Sequence, residues 1–472
     1  MVFSSIIFLL YFLPIVLAVN YFLPSKFRNY WLLVASLFFY AWGAPKFLFV
    51  LLGSIMVNFF LVKKLDQTSN TNSRKWLLFS SVAVNIGLLA YFKYFNFFVH
   101  NIGLLFESMG FGAVSWAHIA LPIGISFFTF QSLTYSIDVY RKLHKPLSKW
   151  SDYTLYIMLF PQMIAGPIVR FGSIADQVLS RKTTTDGFNQ GLIRFVFGLS
   201  KKVLIANTLA QYSSESLTLN GTALNATIAW IGILAYAMQI YFDFSGYSDM
   251  AIGIGRMLGF NFPENFNNPY NSKSITEFWR RWHITLGTWM RDYLYIPLGG
   301  NQVNSNFRLY FNLLFVFLIS GFWHGANWNF IIWGAYHGLF LIVERLFLGK
   351  YLKKLPSLIS IAYAFFVVII GWIFFSVDRF DLAIEYIKVL FSNSFSFAEV
   401  LIDRKFIAVL LLALCLSFIA LSKLGVVIQN HIYGYNKAKN TFWVKTLSVF
   451  LFLLCTISLV GSGFNPFIYF RF

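Results

Sequence analysis

Apolar residues along this chain gather into runs broken by short polar links, and few charges fall inside the runs. A helix needs roughly 20 apolar residues to cross a bilayer. The pattern predicts helices over 2–23, 29–42, 47–62, 76–92, 119–137, 153–164, 191–209, 225–242 and 250–260. Two elements within 309–343 follow, then helices over 357–375, 406–421 and 446–461. Several of these are too short to cross alone and stand beside Gly and Pro, so re-entrant or broken helices are expected. Irregular backbone at membrane depth has to be buried in protein or line a cavity. The 35 residues 309–343 contain no Asp, Glu, Lys or Arg. As one helix they would reach about 52 Å, far beyond the ~30 Å hydrocarbon core, so the run must break. Gly321 and Gly325 put the expected break in "FLISGFWHGANWNF", at His324. The segment "DRFDLAIEYIKVL", 378–390, has apolar residues at helical spacing (Phe380, Ala383, Ile384, Ile387, Leu390) and predicts an interfacial amphipathic helix.

The links carry a sidedness signal. Lys63, Lys64, Arg74 and Lys75 mark one cytoplasmic loop, Arg141–Lys149 with four basic residues a second, and Arg345–Lys354 with four more a third. Asn101–His118 and Gln211–Ala226 have no Lys or Arg and read as external. This alternation places the N-terminus outside. The first run has no basic flank and no small-residue cleavage site, so it reads as a retained helix rather than a signal peptide. The polar stretches 173–189 and 261–272 read as loops. No internal repeat or low-complexity tract is visible.

Composition agrees with the pattern. Of 472 residues 58% are hydrophobic, 20% aromatic and only 12% charged, about half the charge of a typical soluble protein. The mean hydropathy is +0.65. The expected class is an all-α polytopic membrane protein with about 11–14 transmembrane and re-entrant helices. It is read as one domain, 1–472, with N-terminal helices over 1–110, a core over 111–345 and C-terminal helices over 346–472. The formal net charge of +19 does not indicate nucleic acid, because the basic residues sit in short loops between apolar runs. Cys415 and Cys455 lie within apolar runs and carry no disulfide or metal pattern.

Ionisable groups inside so apolar a chain are costly and are functional candidates by default. His324 lies at the expected break, where an imidazole can be tuned to act as a general base; a packing role, with a hydrogen bond to Asn327 or Asn329, is the competing reading. Ser320, one turn earlier, makes a Ser–His pair geometrically available, but no carboxylate in the run would orient it. In "SITEFWRRWHITLGTWMRDYLYIPLGG", Ser274 and Glu277 form a capping box that starts a helix near Ile275, and Pro297, Gly299 and Gly300 end it. His283 then shares a face with Trp279, Leu286 and Met290. Arg280, Arg281, Arg291 and the tryptophans suit a charged, planar ligand or phospholipid headgroups, or else form an aromatic interfacial belt. In "FDFSGYSDMAIG", Asp243, Ser245 and Asp249 lie between two apolar runs, with Gly246 suggesting a helix break. The acids can bind a cation, orient a histidine or accept from freed backbone N–H groups. No metal is expected, since the local ligand spacing is missing. Gln131 in "LPIGISFFTFQSLTYSIDVYR" and Gln162 in "FPQMIAGPIVR" could bond a ligand or simply pack.

Together these stretches, with "SLFFYAWG", "AGPIVRF", "GFWHGANWNFIIWGAYHG" and the final "NPFIYFRF", resemble the membrane-bound O-acyltransferase (MBOAT) superfamily, and within it the bacterial polysaccharide branch. The likeness covers nearly the whole chain, and "FWRRWHI" followed about forty residues later by "GFWHG" is its most specific part. The resemblance implies an MBOAT-type bundle around a tunnel, with His324 as the catalytic residue and His283 as the second active-site residue. It implies acyl transfer from acetyl-CoA as substrate, with no resident cofactor, to a hydroxyl of an extracytoplasmic polysaccharide. Trp279, Arg280, Arg281 and Arg291 are then candidate donor contacts, and Trp323, Asn327, Gln131, Asp243, Ser245 and Asp249 candidate site residues. An extracytoplasmic SGNH-type partner, a surrounding lipid membrane and location in a bacterial inner membrane are also implied. A lipid O-acyltransferase and, on residues alone, a transporter or flippase are the alternatives.

Overall fold

The computed structural model describes residues 1–111, 116–218, 224–396, 403–433 and 442–468. The last four residues of "NPFIYFRF" and parts of the links 101–118 and 211–226 therefore lie outside the described residues. Among the described residues every regular element is a helix. Seven helices are long and apolar enough to cross a membrane: Pro45–Gln67, Thr71–Ser108, Ala226–Met257, Asn306–His324, Trp328–Leu352, Ser357–Ser376 and Phe442–Gly461. The chain divides into two compact units, one of residues 1–188 and 254–263, the other of 189–253 and 264–472.

In the first unit, Phe3, Phe8, Phe12, Phe39 and Phe160 pack ring against ring. A buried polar knot ties its helices. Asn58 on Pro45–Gln67 donates to the Tyr153 hydroxyl at 2.5 Å and accepts from Ser81 and Ser136. In lipid there is little hydrophobic drive between helices, so such bonds contribute to association. Gln131, fully buried on Ile125–Tyr140, belongs to this unit, as does Gln162, which donates to the Tyr156 carbonyl at 2.6 Å.

The second unit is built around Ala226–Met257 and Ser357–Ser376, with the hairpin Asn306–His324 and Trp328–Val343 against them. The break in 309–343 comes where the run's length demands it: one helix ends at His324 and the next starts at Trp328. Gly321 has a different job from the one its place near the break suggested. A Cβ there would collide with the Phe330 carbonyl, and one on Gly334 with the Phe317 carbonyl, so the pair lets the hairpin arms touch.

Four expectations are corrected. Gly246 does not break a helix: Ala226–Met257 runs unbroken for 32 residues and merges the two runs 225–242 and 250–260. Gly246 is needed because a Cβ there would lie 2.7 Å from the Gly198 carbonyl oxygen, and one on Gly198 2.6 Å from that of Gly246; the glycines serve a close crossing of backbones. Conversely, 275–297 is not one helix. It divides into Ile275–Arg281 and Ile284–Met290 around His283, whose backbone is left-handed at φ 44°, ψ 54°. The stretch 173–189 is mostly helical, as Phe171–Leu179 and the start of Thr185–Ser200, with only 180–184 as loop between them. Polar loops 101–118 and 211–226 begin later than expected, because their helices run on to Ser108 and Thr218. The capping box does form: the Ser274 side chain accepts from Glu277 N at 3.0 Å. The amphipathic helix appears as Phe380–Leu390, burying Ala383, Tyr386 and Leu390.

Candidate active site

His324 ends its helix because the chain turns at Gly325, and its ring is buried among aromatic faces. Trp323, Trp333 and Phe375 stand edge-on at centroid distances of 4.9, 5.2 and 5.2 Å. The turn is tied down by two asparagines. Asn327 caps the next helix through Asn329 N and donates to the Asp378 carbonyl at 2.9 Å, while Asn329 donates to the Val377 carbonyl at 2.5 Å. Their amides therefore hold the hairpin tip to the end of Ser357–Ser376, and the proposed His324–Asn bond is not how these side chains are used. His324 faces a cavity of about 10 Å³ whose other walls include Asp243, Phe244, Trp282, Trp333, Trp372, Phe375 and Ile468. That volume is close to the least that holds one water, and the walls are mostly aromatic.

His283 is buried 2% exposed on the other side of Trp323 and Phe244: its ring lies 6.3 Å from Trp323 and 4.7 Å from Phe244, which also lines the His324 cavity. The kink that carries it is held by Asn265, a residue the sequence reading left in a polar loop. The Asn265 side-chain oxygen accepts from His283 Nδ1 at 3.0 Å, Thr285 Oγ1 at 2.8 Å and Thr285 N at 3.3 Å, and its backbone oxygen accepts from Ile284 N at 2.9 Å. Its amide nitrogen donates to Ser248 Oγ at 3.1 Å. An oxygen accepting from Nδ1 assigns the proton to Nδ1 and leaves Nε2 as the basic nitrogen. Burial pushes the ring's pKa down to about 3, so it is neutral at physiological pH. In this neutral tautomer the His283 Nε2 can accept a hydrogen bond but cannot donate one, donation being confined to Nδ1.

The acids are employed structurally. Asp249 pairs with Arg194 at 2.8 Å and Lys201 at 2.6 Å, and Arg194 also pairs with Glu264. Asp243 pairs with Lys202 at 2.7 Å, both side chains 2% exposed, and accepts from Ile468 N at 2.9 Å. Of the three roles open to these acids, accepting from a backbone N–H is the one Asp243 displays. Ser245 is buried on the same helix. Trp279 packs on Phe317, Trp333 and His337 at 5.5, 5.3 and 4.9 Å. Arg280 is exposed, Arg281 pairs with Glu277 at 2.7 Å, and Arg291 with Asp292 at 2.6 Å. Among the described residues no three His, Cys, Asp or Glu side chains gather as a metal site. Besides Asn265, pattern reading missed Lys202 and Trp333, since helical period marks a face but not which neighbour fills it. It also missed Glu344, which accepts from Ile275 N at 2.6 Å and Thr276 N at 2.9 Å and so anchors the start of the His283 segment.

The sequence profile of MBOAT, the membrane-bound O-acyltransferase family, matches residues 84–377, a stretch that contains both histidines and every wall of the His324 cavity named above except Ile468. The chain belongs to this family. It is a multi-pass membrane protein and an acyltransferase enzyme. A probable alginate O-acetylase AlgI of Azotobacter vinelandii is 44% identical over 83% of this chain and 78% of its own length. One of Pseudomonas putida is 39% identical over the full length of both chains. A peptidoglycan O-acetyltransferase of Helicobacter pylori is 35% identical over 100% of this chain and 98% of its own.

Proposed function

We propose that this acyltransferase moves an acetyl group from cytoplasmic acetyl-CoA across a bacterial inner membrane for O-acetylation of an extracytoplasmic polysaccharide. The polysaccharide class follows from its relatives, the probable alginate O-acetylases and the peptidoglycan O-acetyltransferase. The observation that carries the chemistry is an imidazole, His324, buried among aromatic rings at a small cavity, with a second buried histidine, His283, on the far ring contact of Trp323.

His324 removes the acceptor hydroxyl's proton as its oxygen attacks the thioester carbonyl. The tetrahedral oxyanion collapses, the C–S bond breaks, and the thiolate takes the proton back from His324. Of the two roles open to His283, orienting the acceptor or polarising the carbonyl, its tautomer supports the first, because Nε2 accepts from a hydroxyl. The oxyanion needs a donor held in place beforehand. Trp333 fits: its indole N–H is buried, has no hydrogen-bond acceptor among the described residues, and its side chain lines the His324 cavity. The exposed Arg280, with Arg281 and Arg291, would meet the CoA phosphates. An SGNH-type partner outside the membrane would carry the acyl group onward to the polymer.

Purified protein in nanodiscs with labelled acetyl-CoA tests this. Folded His324→Ala should lose thioester turnover by about 10³-fold or more, and Trp333→Phe by about 10²-fold. Turnover that survives His324→Ala would overturn the proposal.

A further inference from the structure

The interval 422–445, which the apolar pattern left without a helix, holds one: Lys423–Tyr433. Its residues 425, 429 and 433 share a face, and that face turns toward the protein. Gly425 is buried, and a Cβ there would collide with the Ile419 carbonyl. Gln429 exchanges two hydrogen bonds with Asn268. The Gln429 nitrogen donates to Asn268 Oδ1 at 2.8 Å, and Asn268 Nδ2 donates to Gln429 Oε1 at 3.0 Å. Tyr433 receives the cations of Arg194 and Lys201 at 5.3 and 5.2 Å from its ring centroid. The opposite face exposes Leu424, Val427 and Ile428, the apolar side that an interfacial helix turns to lipid.

The inward face meets the segment 264–268, in which Asn265 holds the His283 ring and Thr285. That segment is neither helix nor strand, so its shape depends on what grips it. The helix grips both ends. At one end Glu264 pairs with Arg194, the cation over Tyr433, which Asp249 also holds at 2.8 Å. At the other end Asn268 is the partner of Gln429. The Asn268 backbone is left-handed at φ 46°, a conformation that costs a residue with a Cβ and persists where its surroundings fix it. Two amide bonds from a residue 161 positions away supply that fixing. Asn265 lies between the two grips with its side chain on His283.

We propose that helix Lys423–Tyr433 is a clamp on the segment 264–268, and that Gln429 is a positioning residue for the acyl transfer, acting on His283 through the Asn265 side chain. A reacting group displaced by about 1 Å costs about 10²-fold in rate, so a grip that touches no substrate still sets turnover. The inference rests on the acetyl-transfer reading, which gives His283 its part in the reaction.

The test uses the full chain in nanodiscs, with labelled acetyl-CoA for turnover and amide hydrogen exchange on the same samples. Gln429→Met keeps the length of the side chain and removes both amide bonds. The Ile284 and Thr285 amides donate to Asn265, and their exchange should quicken about ten-fold. The kcat should fall about five-fold with the KM for acetyl-CoA within about two-fold. Gln429→Glu still accepts from Asn268 Nδ2 and should give an intermediate kcat. In protein that already carries Asn265→Ala, Gln429→Met should change kcat by less than about two-fold, because the clamp then lacks the side chain through which it acts. A general loosening of the fold would instead multiply the two losses. Unchanged exchange or unchanged kcat in Gln429→Met, a glutamate variant no better than methionine, or multiplied losses in the double variant overturns the clamp. Unaltered protein that shows no His324-dependent turnover, while Gln429→Met still quickens the exchange at 284 and 285, overturns the acetyl-transfer reading and leaves the clamp standing.

Discussion

Substituting Asn265 by alanine removes one buried oxygen that His283 Nδ1, Thr285 Oγ1 and Thr285 N share at 3.0, 2.8 and 3.3 Å. At about 1 kcal/mol for each hydrogen bond the kink loses about 3 kcal/mol of constraint. Were all of that spent on positioning His283, the rate would fall about 10²-fold. Asn265 touches no substrate in the proposed chemistry; it acts through the ring it holds. The expected result is therefore a kcat lowered about 10–100-fold with the KM for acetyl-CoA within about two-fold, in protein whose melting temperature drops by only a few degrees. Asn265→Asp keeps an acceptor oxygen and should recover activity to within about five-fold of the unaltered enzyme. Its carboxylate also favours the protonated ring, so the acid limb of the pH–rate profile should move to higher pH. The assay is label transfer from acetyl-CoA from about pH 2.5 to about pH 8, a range that takes in both the lowered ring at about 3 and an ordinary histidine. Full activity in Asn265→Ala, or an aspartate variant no better than alanine with an unmoved acid limb, would refute the positioning role.

Other outcomes follow from the same contacts. His283 is held down at about 3 against an ordinary 6.5, so the unfolded chain binds the proton that the folded chain refuses. Its contribution to stability is complete above about pH 6.5 and falls as pH drops toward 3, by at most about 1.4 kcal/mol per unit, and melting curves of His283→Gln should lose that slope. Lys202→Met leaves the Asp243 carboxylate buried and should cost about 3–5 kcal/mol, with much of it recovered in Lys202→Met/Asp243→Asn, as a double-mutant melting cycle would read. Gly246→Val drives a side chain into the Gly198 carbonyl and should destabilise by about 2–3 kcal/mol. Gly87→Ala meets nothing within 4 Å and should stabilise by about 0.5–1 kcal/mol, which the same melts would resolve. Reversing Arg280 and Arg281 to Glu should raise the KM for acetyl-CoA about ten-fold or more, since two charges proposed to meet the CoA phosphates change sign; an unchanged KM removes them from the donor site.

His324 was found by length and two glycines: a charge-free run of 35 residues cannot stay in the bilayer as one helix, and Gly321 and Gly325 put the break beside it. Asp243 and Asp249 were found by the cost of charge among apolar neighbours, but which of several roles each takes depended on who lies opposite. That proved to be Lys202 and the Ile468 amide for one, Arg194 and Lys201 for the other. Gly246 and Gly321 were misread for one reason. A glycine marks either a bend or a close approach, and only the position of the neighbouring backbone tells these apart.

What the sequence determined by itself is the class: helices, their approximate spans, the break at His324 and a two-sided charge pattern, all local or periodic properties written into adjacent residues. Tertiary structure alone decided that His283 sits in a kink instead of on a helix face. It also decided that Asn265 fixes its tautomer and that Ile468 comes to line the cavity at His324. Each of these is a pairing across a wide gap in sequence, from 18 residues for Asn265 and His283 to 225 for Asp243 and Ile468. A local pattern carries no record of such a partner, because burial and hydrogen bonding are settled by whichever groups the folded chain brings within reach.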